Sequence, residues 1–215
     1  NAAYVGLSRQ MTLRRELDVV ANNIANMDTT GFKVEQLMVG TEIGQRARND
    51  FVRPGVSFVL DRGVGRDFGQ GALEQTGRSL DVAIEGEGAF FRVQAGGGEA
   101  FTRDGSFTLD PEGRLVTQDG NAVLGDGGEI MLDPILGEVA IGADGTISQN
   151  GQLVGRLSIV RFETLSALEK GGDGLYRNRS NAAEMEATDA RVRQGMLEGS
   201  NVNPILEITN LIEIQ

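Results

Sequence analysis

Three carboxylates near the middle of the chain have the spacing that comes nearest to a catalytic arrangement. Asp81, Glu85 and Glu87 are an even number of residues apart, so a continuous strand would turn all three toward one face. Two carboxylates on one face can serve as the acid and base of a glycoside hydrolase. Such an enzyme would also want aromatic platforms for the sugar, and the sequence contains no Trp. We therefore favour a solvated strand face over a hydrolytic site.

Other chemistries are excluded by the residue types. The sequence has neither His nor Cys, which excludes zinc fingers, Ser-His and Cys-His nucleophile pairs and disulfide bonds. The net charge of −11, from 31 acidic and 20 basic residues, argues against nucleic acid as a partner because phosphate binding needs a basic patch. No apolar run approaches the roughly 20 residues of a membrane span, and the first residues lack the order of a secretory signal. We expect no nucleic-acid partner and no membrane insertion.

Glycine-rich stretches suggest two kinds of ligand site. Gly63-Val64-Gly65 has two glycines of a dinucleotide fingerprint, but Phe68 stands where the third belongs. Asp104-Gly105 and residues 126–129 place acids beside glycine, but neither has the order of acids found in a calcium-binding loop. Glycine is 31 of the 215 residues, about twice its usual share of ~7%, and turns between strands explain it better. The sequence predicts no metal and no cofactor.

The elements that carry these residues begin with a predicted helix over residues 1–26. Its apolar positions form two stripes on nearly opposite sides, one of Tyr4, Leu7 and Met11 and the other of Leu13, Leu17, Val20 and Ile24. A helix on a single core needs one stripe, so two stripes indicate two neighbours. We expect the helix to end before Gly31, which can take a left-handed conformation.

Short strands fill the middle of the sequence. Residues 34–79 are predicted as an extended or irregular arm with short strands, and residues 80–165 as an antiparallel β-domain of alternating strands. The turn signals are Asp110-Pro111-Glu112-Gly113, typical of a type I turn, and Asp119-Gly120 and Asn150-Gly151, typical of primed hairpin turns. After an irregular return over residues 166–184, we predict helix over 190–199 and a final helix that begins at Asn203-Pro204. The predicted segments are 1–33, 34–79, 80–165, 166–184 and 185–215.

Three asparagines lie close together near the end of the first helix, Asn22, Asn23 and Asn26. Asn is a poor helix former, so the cluster can simply mark the end of the helix. Alternatively the amides bond to neighbouring helices, with Asn22 and Asn26 on one face. Both interpretations stay open.

Three stretches coincide with one family. The N-terminal ELDVVANNIANMDTTGFK resembles the signature of the flagellar axial proteins, which form the rod, the hook and the hook-associated structures. LDVAIEGEGAFFRV and FTRDGSFTLDPEGRLVTQDGNAVLG resemble the β-domain of the hook and rod members, and QGMLEGSNVNPILEITNLIEIQ resembles the closing helix. Within the family, the opening residues resemble the proximal-rod member.

The resemblance implies an α+β fold in which discontinuous N- and C-terminal helices pair in a coiled-coil-like layer, with the antiparallel β-domain inserted between them. It implies a non-enzymatic rod subunit of the basal body, exported by the flagellar type III apparatus without a Sec signal and assembled across the periplasm. Its partners would be other copies of itself and neighbouring rod proteins. The helices would line the inner wall of a hollow shaft, and we expect them to be flexible until they dock. The expected assembly interface consists of Leu13, Leu17, Val20, Asn22, Asn23, Ile24, Asn26, Ile205, Ile208, Leu211 and Ile212.

Two alternatives remain at this point. A distal-rod or hook relative would differ in its position along the axis but not in its chemistry. A monomeric wall-binding or glycan-binding protein would use the acidic β-domain alone, and the apolar terminal helices would then have no purpose.

Overall fold

The computed structural model describes residues 2–43 and 57–214, with side chains over 6–38 and 63–214. Residues 44–56 of the predicted arm lie outside the described residues, as do Asn1 and Gln215. The fold is α+β, as the sequence predicts. The chain divides into two compact units. The helical unit consists of residues 2–27, 34–43, 57–67 and 202–214, and the β unit consists of residues 28–33 and 68–201.

Two helices and one hairpin form the helical unit: α1 (Ala2–Ala25), α2 (Pro204–Ile214), β1 (Glu35–Ile43) and β2 (Ser57–Arg66). The hairpin is antiparallel, with Glu35 opposite Arg66 and an irregularity between Leu37 and Val39. Strands are predicted within this arm, and β1 and β2 are longer and more regular than the prediction. The sequence carries part of the period of a strand, because Leu37, Val39 and Ile43 are an even number of residues apart, although Met38 interrupts the alternation.

Antiparallel strands make up most of the β unit, with one short 3₁₀ turn at Leu165–Ala167. Their bounds are β3 (Leu73–Gln75), β4 (Val82–Glu85), β5 (Ala89–Ala95), β6 (Gly98–Thr102), β7 (Phe107–Leu109), β8 (Leu115–Thr117), β9 (Ala122–Gly125), β10 (Gly128–Glu129), β11 (Val139–Ile141), β12 (Thr146–Gln149), β13 (Gln152–Arg156), β14 (Ile159–Phe162), β15 (Leu168–Lys170), β16 (Tyr176–Asn178), β17 (Glu184–Glu186), β18 (Arg191–Gln194) and β19 (Met196–Glu198).

The largest sheet is organised around β5. Its strand order is β15-β16-β6-β5-β9-β8-β7, while β14 pairs with both β5 and β17, and β10 pairs with β9. A smaller sheet has the order β11-β12-β13, and two pairs, β4 with β18 and β3 with β19, bring the last strands of the unit back to its first. Sequence-distant pairings therefore close the β unit.

The core lies on both faces of β5. Phe91 and Val93 belong to the larger apolar cluster, together with Phe107, Leu115 and other buried side chains. Phe90 points to the other face because side chains alternate along a strand, and there it joins a second cluster built from the aromatic rings Phe101, Phe162 and Tyr176. Phe68 packs edge-on against this cluster, with ring centroids 5.7 Å from Phe90 and 5.5 Å from Tyr176.

The turn chemistry is largely as predicted. Asp110 accepts hydrogen bonds from the backbone N–H groups of Glu112 and Arg114, and its carbonyl accepts from Gly113. Asn150 and Gly151 both have positive φ, 52° and 75°, as a type I′ hairpin turn requires. The prediction of a primed turn at Asp119-Gly120 is wrong, because in that pair positive φ is confined to Gly120.

The helix predicted over residues 190–199 is also wrong, because β18 and β19 occupy this segment. Buried Val192 alternates with exposed Arg191 and Arg193, which is the period of a strand. Gly195, with φ +73°, separates the two strands. The predicted segment 185–215 is thus helical only over α2, and the return segment 166–184 contains β15 and β16.

Candidate assembly surface on the terminal helices

The helix α1 has one covered face and one open face. Val19, Val20 and Asn23 are buried within the chain, and the predicted stripe of Leu13, Leu17 and Ile24 is half-buried beside them. On the opposite side, Leu7 and Met11 are 54% and 67% exposed. The side chain of Tyr4 lies outside the described ones. Of the two neighbours that the stripes indicate, the chain itself supplies one.

A single amide connects three elements of the helical unit. Asn23 accepts a hydrogen bond from the backbone N–H of Glu35 (2.9 Å) and donates one to the Glu35 carbonyl (2.8 Å), much as a neighbouring strand would. Its second N–H reaches Oε2 of Glu207, 3.1 Å away. Asn23 is 1% exposed and Glu207 5%. The end of α1, the start of β1 and the first turn of α2 are therefore held by one side chain whose two donors and acceptor are all used.

The helix α2 begins with a side-chain cap. The Asn203 carboxamide oxygen accepts hydrogen bonds from the backbone N–H groups of Ile205 (3.1 Å) and Leu206 (3.3 Å), which otherwise lack an intrahelical partner. This agrees with the start predicted at Asn203-Pro204. Pro204 occupies the first helical position, where a missing N–H costs nothing.

An apolar stripe runs along the outside of α2. Ile205, Ile208 and Ile212 follow the helical spacing i, i+3, i+7, and they are 78%, 51% and 69% exposed. The buried Glu207 and the half-buried Leu211 lie on another face. Helix α2 thus contacts its own unit through the face that carries Glu207 and Leu211, and its three isoleucines remain exposed.

The positions of the expected interface residues are therefore unequal. Asn22 is exposed, and Asn26 donates to the Asn22 carbonyl at 2.8 Å, a contact within one helix that belongs to its termination. Within the helical unit the neighbouring helix is reached by Asn23, and bonding of Asn22 or Asn26 to helices of other subunits stays a prediction. Ile205, Ile208 and Ile212 are exposed within one chain. Their part in an assembly interface remains a prediction.

The carboxylates at residues 81–87 do not form a hydrolytic pair. Glu85 pairs with Arg193 at 2.8 Å on the surface, and this arginine holds the pKa of the Glu85 carboxyl below its ordinary value. Asp81 is fully buried, so the expected solvated face is wrong for this residue. Neither of its carboxylate oxygens has a hydrogen bond, but Arg78 lies 3.4 Å away.

The glycine-rich and acidic turns have structural explanations. Gly63 and Gly65 lie in β2 beside the irregularity of the hairpin. Asp104 accepts hydrogen bonds from the N–H and hydroxyl of Ser106, and burial raises the pKa of the Asp104 carboxyl, with Asp119 and Asp81 adding to the rise. Among residues 2–43 and 57–214, no group of acidic side chains is arranged to hold a metal ion.

Sequence reasoning missed a buried ion cluster in the β unit. Lys33, Arg103 and Glu198 are all at most 2% exposed, and the Glu198 carboxylate contacts both cations. Lys33 is one of two lysines in the sequence. This rarity is the one weak signal in the sequence that the residue has a particular role. Burial lowers the pKa of the Arg103 guanidinium, and the Glu198 charge and hydrogen bond oppose this effect.

Neither helix of the described residues is long and apolar enough to cross a membrane. Three family models match the chain. They are the flagella basal body rod protein model at residues 4–33, the flagellar hook protein FlgE/F/G D1 domain at 83–149, and the flagellar basal body rod FlgEFG protein C-terminal model at 193–215. The chain belongs to the family of flagellar basal-body rod proteins, as its sequence motifs predict, and is a structural component of the basal body.

Full-length relatives refine this assignment. The flagellar basal-body rod protein FlgF of Caulobacter vibrioides is 59% identical over all of this chain and 88% of its own length. FlgF of Mesorhizobium japonicum is 37% identical over the same shares. The rod protein FlgG of Bacillus subtilis is 34% identical over 99% of this chain and 89% of its own. Within the family the chain is most like FlgF.

Proposed function

We propose that this chain polymerises head to tail, with copies of itself and with neighbouring rod proteins, into the hollow axial shaft of the flagellar rod. The observation that carries the proposal is the open isoleucine stripe of α2, together with the open face of α1. Both helices are in place and their polar contacts are made, yet each leaves large apolar side chains in water. Exposed apolar surface of this kind marks a protein interaction site.

Burial of the exposed apolar stripes can provide enough free energy for assembly. Burying one Ile side chain in full contributes roughly 2–3 kcal/mol, so three on each subunit offer a substantial driving force once a neighbour covers them. A contact between unlike surfaces, repeated from copy to copy, generates a helical filament instead of a closed dimer. On a single chain, the apolar side chains of such a surface stay exposed to solvent.

The remaining interface residues have three proposed roles. Leu13, Leu17 and Ile24, half-buried on one chain, become covered when neighbouring helices pack in a coiled-coil-like layer, together with Val20 of the same stripe and Leu211 of α2. Asn22 lies on the same open face of α1 as Met11. Asn23 acts from inside the subunit, since it fixes α2 against α1 and β1. Asn26 contributes by ending α1 where the chain must leave it.

The place of this subunit is the proximal rod, reached through the flagellar type III export apparatus. The 59% identity to FlgF of Caulobacter vibrioides, against 34% to FlgG of Bacillus subtilis, supports a proximal over a distal position. The rod crosses the periplasm, and the net charge of −11 helps to keep the subunit soluble there before it docks.

A substitution on the open stripe tests this proposal. In a bacterium whose own gene is deleted, Ile208→Asp should abolish incorporation into purified basal bodies and abolish swimming, because a carboxylate would have to be buried without a partner. The purified monomer should keep its stability, since Ile208 is already exposed. Leu17→Asp should also block incorporation while the β unit stays folded.

Ile135→Asp is the matched control. Ile135 is 91% exposed in the β unit, so the same substitution is made at an open apolar position that belongs to neither helix. We expect normal incorporation of this variant. Normal swimming with Ile208→Asp, or a defect equal to it with Ile135→Asp, would contradict assembly through the helical stripes.

A further inference from the structure

The buried ion cluster of Lys33, Arg103 and Glu198 joins three segments that are far apart in sequence. Lys33 ends the short segment 28–33, Arg103 follows β6, and Glu198 ends β19. The chain crosses from one unit to the other four times, directly before residue 28, after residue 33, before residue 68 and after residue 201. The segments of the β unit that carry these passages are 28–33, 68–72 and 196–201, so the cluster involves the places where the chain enters and leaves the unit.

Glu198 is the centre of the cluster. Its Oε1 accepts from Lys33 Nζ (2.6 Å) and from the backbone N–H of Gly71 (2.8 Å), and its Oε2 accepts from Arg103 Nε (2.7 Å). Its own backbone carbonyl accepts from the N–H of Gly31 at 2.7 Å. One residue therefore contacts segment 28–33, segment 68–72 and Arg103, which directly follows β6.

Backbone carbonyls complete the coordination of the two cations. Lys33 Nζ donates to Gly69 O (2.6 Å), and Arg103 donates to the carbonyls of Gly86 (2.9 Å), Ala89 (2.6 Å) and Ile84 (3.1 Å). Two positive charges thus share one carboxylate in a buried site. Since an unpaired buried charge is far more costly than a missing apolar contact, the arrangement depends on Glu198 more than on either cation.

The segment 28–33 is also held by sterics. Gly31 has φ +67°, and a Cβ at this position would lie 2.6 Å from the Arg103 carbonyl carbon and from the Asp104 nitrogen. The backbone of Gly31 therefore rests directly on residues 103–104. On its other side, the Phe32 ring lies 3.9 Å from Nζ of Lys170, the second lysine of the chain.

We propose that Glu198 is a positioning residue, which draws the segments 28–33 and 68–72 onto its own strand and so fixes where the chain enters and leaves the β unit. The consequence for assembly rests on the proposed function, because both terminal helices are continuous with the segments held here. The contacts of Glu198 with the two segments lie within a single chain, so this part of the proposal does not depend on the proposed function.

The two lysines allow a direct test on the full chain. A lysine-reactive acylating reagent, read by peptide mass spectrometry, should label Lys33 of the unchanged protein far more slowly than Lys170. In Glu198→Gln, which keeps the side-chain size and leaves two buried cations without a counter-charge, labelling of Lys33 should accelerate by roughly 100-fold or more. Amide exchange in β5 should stay slow.

Glu169→Gln provides the matched control. Glu169 pairs with Arg179 at 3.4 Å on the surface, so this substitution removes the same charge from an exposed ion pair. Labelling of Lys33 should not change. Unaltered Lys33 labelling in Glu198→Gln, or equal acceleration in both variants, would overturn the proposal.

A second variant covers the case in which Glu198→Gln does not fold. Lys33→Met leaves Arg103 and Glu198 as a balanced pair, so we expect a milder effect, with amide exchange at Gly31 and Gly71 about 10-fold faster and β5 unchanged. Where both single variants fold, the double variant Lys33→Met/Glu198→Gln should open less readily than Glu198→Gln, because one unpaired buried cation is gone. Unchanged exchange at Gly31 and Gly71, or purely additive effects, would show that the cluster fills space and does not position the segments.

Incorporation into basal bodies separates this inference from the proposed function. Faster Lys33 labelling together with reduced incorporation supports both. Faster labelling with normal incorporation would confirm the fastening and contradict its role in assembly, whereas Ile208→Asp tests the stripes without touching Glu198.

Discussion

The helical unit and the β unit differ in which side chains they bury and which they leave exposed to solvent. In the β unit, the central strand β5 is buried on both faces, and even Lys33, Arg103 and Glu198 have partners inside. In the helical unit, Asn23 makes all its bonds while Ile205 and Ile212 remain in water. The difference shows a division of labour within one chain. The β unit closes its own core, and the helical unit keeps apolar surface that the described side chains of the same unit do not cover.

Truncation of a core ring should give the largest loss of stability. Phe91 is fully buried and packs edge-on against Phe107, with ring centroids 5.1 Å apart. Phe91→Ala should lower the free energy of unfolding of the β unit by about 3–5 kcal/mol. Denaturant titration followed by circular dichroism measures this change.

Ile212→Ala is the corresponding truncation in the helical unit. The monomer should lose no more than ~0.5 kcal/mol, as at other surface positions. A loss in the monomer comparable with that of Phe91→Ala would mean that the stripe is already covered, and the contrast between the units would fail.

A methyl group at Gly31 should be the next most damaging change. Ala at this position meets both a left-handed φ and the backbone of residues 103–104, so Gly31→Ala should cost about 3 kcal/mol. Gly77 has a similar φ of +75° with open space around it, and Gly77→Ala should cost only about 1 kcal/mol. Thermal unfolding of the two variants separates the cost of a left-handed φ, which both share, from the cost of a steric clash, which only Gly31→Ala has. Equal losses of stability would argue against the close contact between Gly31 and residues 103–104.

Removal of the Asn23 amide should have an intermediate effect within the helical unit. Asn23→Ala leaves Glu207 buried without its partner and breaks both bonds to Glu35, at a cost of about 2 kcal/mol. Asn22→Ala, one residue away and exposed, should stay within ~0.5 kcal/mol. Amide exchange of α2 provides the measurement, and equally fast exchange in both variants would remove Asn23 from its connecting role.

The smallest effect concerns pH. Because burial raises the pKa of Asp104, the folded state favours its neutral form, and the protein loses stability as the pH rises through that pKa. Asp104→Asn keeps an acceptor for Ser106 and removes the charge, so it should be more stable than the unchanged protein at about pH 7. The advantage should disappear in acid, below the ordinary pKa of a carboxyl group.

The exposed Asp126→Asn serves as the control for this comparison, since it makes the same substitution in another Asp-Gly turn. Denaturant midpoints at several pH values should coincide with those of the unchanged protein. An advantage of Asp104→Asn that persists undiminished into acid would show that its origin is not the ionisation of this carboxyl.

Local chemistry made much of the β unit predictable. The Asp110 turn, the Asn150-Gly151 hairpin and the alternating strands from Val82 to Phe162 depend on neighbours in sequence, and the structure confirms them. The segment 190–199 was mistaken for helix because its partners, β4 and β3, lie more than 100 residues away. Its alternation around Val192 was nevertheless present in the sequence.

The candidate site was predictable in kind but less so in detail. The two stripes of α1 and the cap at Asn203 follow from spacing and residue type alone. Which asparagine reaches α2 depends on the direction of its side chain relative to Glu35 and Glu207, and the sequence alone left all three asparagines as candidates. The ion cluster could not be foreseen, because Lys33, Arg103 and Glu198 meet only when the strand pairing is known.

The most direct test of the division between the units is peptide-resolved hydrogen exchange on the purified monomeric chain. The account predicts that amides of α1 and α2 exchange at least ~100-fold faster than those of β5 and β9, which corresponds to roughly 3 kcal/mol less local stability. Incorporation into the rod should then slow exchange in the helices and leave β5 unchanged. Equal protection of both units in the monomer would contradict the account, because it would mean that the terminal helices need no neighbour to complete their fold.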